Sequence, residues 1–133
     1  ENTTLCKSSV YFHQWNQNFV SCIIKNCDIS IIPLEIKNKF LYGKSMNKLI
    51  LMWRNNIPAV CSAIPSYKTL SNKISIDFCC ENEDDWFNKI EKLIIDKDFK
   101  NKYLIKINKI INDQYSYKEF IDQWDKVIDS VNV

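Results

Sequence analysis

The segments CDISIIPL (Cys27 to Leu34), GKSMNKLILMW (Gly43 to Trp53) and NIPAV (Asn56 to Val60) decide the fold of this chain. Ile29 to Leu34 is a nearly unbroken apolar run closed by Pro33, the pattern of a strand covered on both faces in a parallel sheet. From Ser45 onward, Met46, Leu49, Ile50 and Trp53 recur at helical spacing. The helix ends at Asn55-Asn56 ahead of Pro58, because Asn tolerates the left-handed conformation and a residue before proline resists the helical one. Ala59 to Ser62 is the next strand. A strand, a loop, a helix and a second strand in this order make a β/α unit, whose ligand side is the carboxyl edge of its strands.

The same alternation extends in both directions. Val10-Tyr11-Phe12 is a short β-favouring run, and Phe19, Val20, Ile23 and Ile24 mark a helix between about Asn16 and Lys25. Pro65 to Leu70 reads as a short helix and Ile74 to Cys80 as a strand, with Glu81 to Glu83 turning out of it. From Asp84 the period is helical throughout: Trp86, Ile90, Leu93 and Ile94 share a face, then Phe99, Tyr103, Ile107, Ile110 and Ile111, then Phe120, Trp124, Val127, Ile128 and Val131. The expected fold class is α/β: a small Rossmann-like, mostly parallel sheet of about four strands, near residues 9–12, 28–33, 58–62 and 75–79. Helices lie on both faces, and a helical carboxyl-terminal tail closes the chain. Residues 1–133 form a single domain, with a β/α part at about 8–80 and the tail at about 84–131.

Composition excludes several classes. The formal charge of +2 is spread along the chain without a dense basic block, which argues against a nucleic-acid binder. No apolar segment reaches the length of a transmembrane span, and the start Glu1-Asn2-Thr3-Thr4 is not that of a signal peptide. The absence of an initiating Met points to a processed or trimmed chain. Of six cysteines, Cys27, Cys61, Cys79 and Cys80 lie in apolar runs, where free thiols pack as small hydrophobes. Reduced thiols imply a cytoplasmic location. No metal site is expected, since no Cys-x-x-Cys pair occurs and His13, the single histidine, has no ligand set around it.

Chemistry concentrates between Glu35 and Lys48. With Ser45 as N-cap, the amides of Met46, Asn47 and Lys48 face whatever lies over the helix end, and the helix dipole favours an anion there. Lys44 precedes that end and Lys48 sits just inside it, so both ammonium groups can converge on phosphate oxygens. Gly43-Lys44-Ser45 is not a P-loop, because that motif needs a glycine at position 38, which is Asn. No nucleophile, base and orienter trio can be assembled, and the catalytic residues stay unassigned; His13 and Glu35 are candidates by their places after strands. Asp77 is a single carboxylate without a partner pattern, and Glu81, Glu83, Asp84 and Asp85 read as a helix N-terminus satisfying its dipole.

These residues together resemble the carboxyl-terminal, nucleotide-sugar-binding portion of a GT-B class glycosyltransferase. The matching stretches are Cys27-Asp28-Ile29-Ser30-Ile31-Ile32-Pro33, Gly43-Lys44-Ser45-Met46-Asn47-Lys48 and Asn56-Ile57-Pro58-Ala59-Val60, with Trp15, Ser66-Tyr67, Asp85-Trp86 through Ile94, Tyr115-Ser116 and Trp124 in matching places over roughly residues 10 to 130. The resemblance implies a nucleoside-diphosphate sugar as substrate, with Ser45, Asn47 and Lys48 beside the diphosphate, and no cofactor or metal. Asn56 departs from the family's glycine, and Ser45 and Met52 stand where the family's paired glutamates fall. It also implies two further strand-helix units and an amino-terminal lobe not contained here, so that the chain is at most half of an enzyme, inactive alone: a fragment of a larger transferase, a degenerate stand-alone domain or one subunit that needs a partner. The alternatives are a non-catalytic interaction module that forms a homo-oligomer, and a small flavodoxin-like nucleotide-binding domain, which the lack of a Gly-rich first loop disfavours.

Overall fold

A computed structural model describes residues 11–36, 38, 40 and 43–131. The elements follow in the order α1 (Val20–Lys25), β1 (Ser30–Ile32), α2 (Asn47–Arg54), β2 (Ala59–Ser62), α3 (Pro65–Ile74), β3 (Cys79–Cys80), α4 (Glu83–Ile95), α5 (Lys97–Gln114) and α6 (Tyr117–Val131). The three strands form one parallel sheet in the order β1-β2-β3. The fold is therefore mixed α/β with a small parallel sheet, as the β/α alternation requires.

The sheet has three strands among the described residues, not about four. Residues 9 and 10 of the expected first strand lie outside the described residues, while Tyr11 and Phe12 are exposed and outside any strand. A β-favouring run becomes a strand only against a partner ladder, and among the described residues the sheet ends at β1. The last strand is also shorter than expected, because α3 runs on to Ile74 and closes with Ser75 in the left-handed conformation. The helix expected over 16–25 shrinks to α1, of which only Ile24 is buried.

β2 is the centre. All four of its residues are buried although alternate side chains point to opposite faces, so both faces are covered. The register sets Ile32, Cys61 and, through Cys61, Cys79 side by side on one face, and Ile31 and Val60 on the other. Ser71 of α3 lies beside Cys79 on the first face. Leu93 of α4 and Val60 line one cavity on the second. Leu49, Ile50 and Trp53 of α2 are buried as the spacing predicts. Asn55 closes that helix, and Asn56 takes φ 61°, the left-handed turn expected before Ile57-Pro58.

The amino end of the sheet is closed by aromatics. Trp53 meets Phe78 edge-on at 5.4 Å between ring centroids, and Tyr103 of α5 stacks on Phe78 at 5.8 Å. The Tyr103 hydroxyl donates to the Ala59 carbonyl at 2.8 Å, satisfying a backbone acceptor at the start of β2. α4 and α5 are separated by one residue, Asp96, whose carboxylate accepts the Phe99 N–H and caps α5. The face Phe99, Tyr103, Ile107, Ile110 and Ile111 packs on the core as its periodicity predicts.

α6 departs from its expected role. Phe120, Trp124, Val127, Ile128 and Val131 do share a face, but none is buried, and Trp124 is 54% exposed. Of the tryptophans placed on helix faces by their spacing, Trp53 is core and Trp86 is half-buried against it, whereas Trp124 is exposed.

Removing the Trp53 indole should unfold the aromatic plug from the inside. Trp53→Ala is expected to cost about 3–5 kcal/mol in a denaturant titration, the range of a large core truncation that leaves a cavity.

Candidate functional site

The carboxyl ends of β1 and β2 are tied to each other by one serine. Ser62 Oγ accepts the Leu34 N–H at 2.7 Å and donates to the Leu34 carbonyl at 2.9 Å, so the chain leaving β1 is held against the end of β2. Ser66, in the first turn of α3, donates from Oγ to the Lys44 carbonyl at 3.0 Å. The chain leaving β1 is thereby held at Leu34, and the chain approaching α2 at Lys44. Ser62 was not among the residues singled out from sequence. A buried serine ending an apolar strand was the available signal.

Lys44 is half-buried beside α3, while Ser45, Asn47 and Lys48 are exposed at the start of α2. Ser45 is not the N-cap: the cap position is Met46, which makes no side-chain cap bond, and Asn47 is the first helical residue. The reason is packing. Met46 is half-buried against the core, its sulfur accepts the Tyr115 hydroxyl at 3.2 Å, and its carbonyl accepts the Ile50 N–H at 3.0 Å. The first turn consequently offers the amides of Asn47, Lys48 and Leu49, one residue further on than the serine-capped helix would. Lys48 lies in that turn, and Lys44 three residues before it.

Glu35 is exposed just beyond Leu34 on the same side of the sheet. His13 is exposed in the irregular segment before α1, and among the described residues no hydrogen bond joins it to the loop. Gly43 needs no glycine geometry, since its φ is not positive and a Cβ there would meet nothing within 4 Å. This differs from a phosphate-cradling glycine loop, where the backbone itself must approach the ligand. Lys44, Ser45, Asn47 and Lys48 are thus brought together with Glu35 at one sheet edge, and His13 is not.

The acidic cluster behaves as expected from its place in the sequence. Asn82 caps α4 by accepting the Asp85 N–H, Glu83, Asp84 and Asp85 fill its first turn, and Asp85 accepts the Glu81 N–H at 2.9 Å. Asp77 does have partners: Lys89 at 2.8 Å and the Cys79 N–H at 3.2 Å. Among the described residues no three His, Cys, Asp or Glu side chains are grouped to hold a metal ion. Nor, among these residues, is any helix long and apolar enough to cross a membrane.

Five cysteines are described, all as free thiols: Cys61, Cys79 and Cys80 are buried, and Cys22 and Cys27 are exposed. Cys6 lies outside the described residues. Cys27 corrects the expectation of a packed thiol, because it falls in the turn between α1 and β1, where its sulfur reaches only the Ile23 carbonyl. Interaction with the neighbouring Cys79 thiol, followed by burial, pushes the Cys61 thiol up, whereas the same interaction holds the Cys79 thiol down against the effect of its burial. Burial pushes the Cys80 thiol up to about 11. The Tyr67 hydroxyl is buried near the Cys61 and Cys79 thiols and has no hydrogen-bond partner among the described residues.

No family model, no curated protein and no solved structure matches the chain. The site is therefore described by its own geometry: an open, polar carboxyl edge with two lysines beside the N-terminus of α2.

Two measurements check this part of the structure. Because the Cys80 thiol is held neutral in the fold, its stabilising contribution is complete below its ordinary value near 9 and is lost as the pH rises through about 11. The melting temperature should fall across that window, and Cys80→Ala should flatten the fall. Tyr67→Phe removes an unpaired buried hydroxyl and should leave stability unchanged or raise it, by up to about 1–3 kcal/mol in chemical denaturation.

Proposed function

We propose that this chain binds a nucleoside-diphosphate sugar at the carboxyl edge of its sheet, as the donor-binding part of a GT-B class glycosyltransferase. The observation that carries the reading is the pinned loop: Ser62 and Ser66 hold the β1–α2 connection so that Lys44, Ser45, Asn47 and Lys48 gather at the N-terminus of α2. Open parallel sheets bind ligands at this edge, and a helix N-terminus with two lysines is suited to a diphosphate. In this reading the amides of Asn47 and Lys48 and the ammonium groups of Lys44 and Lys48 neutralise the leaving diphosphate, and no metal is required for that charge. The order of the motifs from Cys27 to Val60 supports the family reading, and the parallel β1–α2–β2 unit is compatible with it. In this reading Glu35, exposed just beyond Leu34, meets a sugar hydroxyl, and no catalytic base is assigned.

A second reading is favoured by one specific observation. The apolar stripe of α6 and the aromatic side chains of Tyr11, Phe12 and Trp15 are exposed, as an interaction module would present them.

Titration calorimetry with UDP, GDP and their sugar conjugates separates the two. Binding of at least one of them is expected, and Lys48→Ala should weaken it by roughly 1.5–3 kcal/mol, the range of a charge-assisted contact. Unaltered affinity in that variant would remove the phosphate assignment, and no binding by any nucleotide would favour the interaction module.

A further inference from the structure

The two edges of the sheet are finished differently. In β3 the residue whose backbone faces away from β2 is Cys79, since Phe78 and Cys80 make the ladder bonds to β2. Both outward groups of Cys79 are occupied by side chains: its N–H donates to Asp77 Oδ1, and its carbonyl accepts from Lys89 Nζ. Lys68 and Glu81 form a further ion pair close by. This is how an edge strand is closed to other chains: polar groups spent and charges placed along it.

In β1 the outward residue is Ile31. The Ser30 N–H donates to the Pro58 carbonyl, so the alternation of a parallel ladder turns Ser30 and Ile32 toward β2 and the backbone of Ile31 away from it. Among the described residues neither the N–H nor the C=O of Ile31 has a partner. Its side chain is 53% exposed, whereas Val60, its neighbour on the same face of β2, is fully buried. No charged residue stands between Ile29 and Leu34.

We propose that the β1 edge is an intermolecular pairing edge, occupied by the β1 of a second copy running antiparallel across a two-fold axis at Ile31. Centring the pair on Ile31 makes it a hydrogen-bonded pair, in which each copy's Ile31 N–H donates to the other's carbonyl. The same register sets Ile29 opposite Pro33 of the second copy, whose carbonyl accepts although its nitrogen cannot donate. Asp28 falls opposite Leu34, so no like charges meet. A head-to-tail arrangement, β1 of one copy on β3 of the next, would propagate without limit, and it is excluded because the Cys79 backbone is already spent. The asymmetry of the two edges thus selects a closed dimer with one continuous sheet through both copies. The pairing edge ends at Leu34, next to Glu35 of the proposed nucleotide site, and its test does not depend on nucleotide binding.

Sedimentation equilibrium of the full chain over a concentration series, with hydrogen exchange at the Ile31 amide, tests the proposal. A dimer is expected, with the Ile31 amide protected only at concentrations where the dimer forms. Ile31→Pro removes the outward N–H without touching the ladder to β2, and should give a folded monomer with an unchanged circular dichroism spectrum. If that variant does not fold, Ile31→Lys keeps the N–H, sets like charges against each other, and should also abolish the dimer. Trp124→Glu on α6 should leave it intact. A chain that is monomeric throughout, an Ile31 amide protected in the monomer, or a dimer that survives both Ile31 variants and is lost with Trp124→Glu would each overturn the proposal.

Discussion

The parallel placement of β2 between β1 and β3 is the constraint on which the rest of the structure depends. A strand hydrogen-bonded on both sides and covered on both faces must be apolar throughout, and Ala59, Val60, Cys61 and Ser62 are all buried. Parallel neighbours cannot be joined by hairpins, so each connection must cross the sheet and return through a helix, and α2 and α3 supply those returns. Their amino ends then fall at the carboxyl edge of the strands and their carboxyl ends at the opposite edge. The polarity of the molecule follows from this one pairing.

The two ends of the sheet have accordingly separate chemistries. At the amino end, Trp53, Phe78 and Tyr103 pack together, and the Ala59 carbonyl is satisfied by the Tyr103 hydroxyl. At the carboxyl end the contacts are polar and few. Ser62 bridges both backbone groups of Leu34, Ser66 holds the Lys44 carbonyl, and the exposed side chains of Glu35, Ser45, Asn47 and Lys48 project beyond them.

The periphery shows what the core leaves unfinished. β3 is closed by Asp77 and Lys89, while among the described residues the outward backbone of Ile31 in β1 has no partner. α6 follows α5 after a two-residue turn, with the Arg54 guanidinium donating to the Tyr115 carbonyl at 2.7 Å, and then presents its apolar face without burying a residue. An amphipathic helix forms from its own periodicity, but which surface covers its apolar stripe is a matter of what lies next to it.

Much of the fold was legible in the sequence because burial on a regular element leaves a period. Leu49, Ile50 and Trp53, the run from Ile29 to Ile32, and Tyr103, Ile107 and Ile110 announced their elements by spacing, and Asn56 before Ile57-Pro58 announced the left-handed turn. The acidic turn of α4 was equally local in its cause. Of the candidate site, the four residues Lys44, Ser45, Asn47 and Lys48 were legible as a group, because they adjoin a helix start. What the sequence alone could not determine were facts that depend on residues far apart in the chain. Met46 rather than Ser45 occupies the cap because Tyr115, 69 positions on, binds its sulfur. Asp77 has a partner because β3 and α4 bring Lys89 to it, and Ser62 matters because it meets Leu34. Among the described residues Tyr11 and Phe12 carry the composition of a strand but have no partner ladder, and Trp124 carries the spacing of a core residue yet is exposed on its helix. Propensity and period are properties of a segment, whereas pairing and burial require a second surface, and only the tertiary structure supplies it.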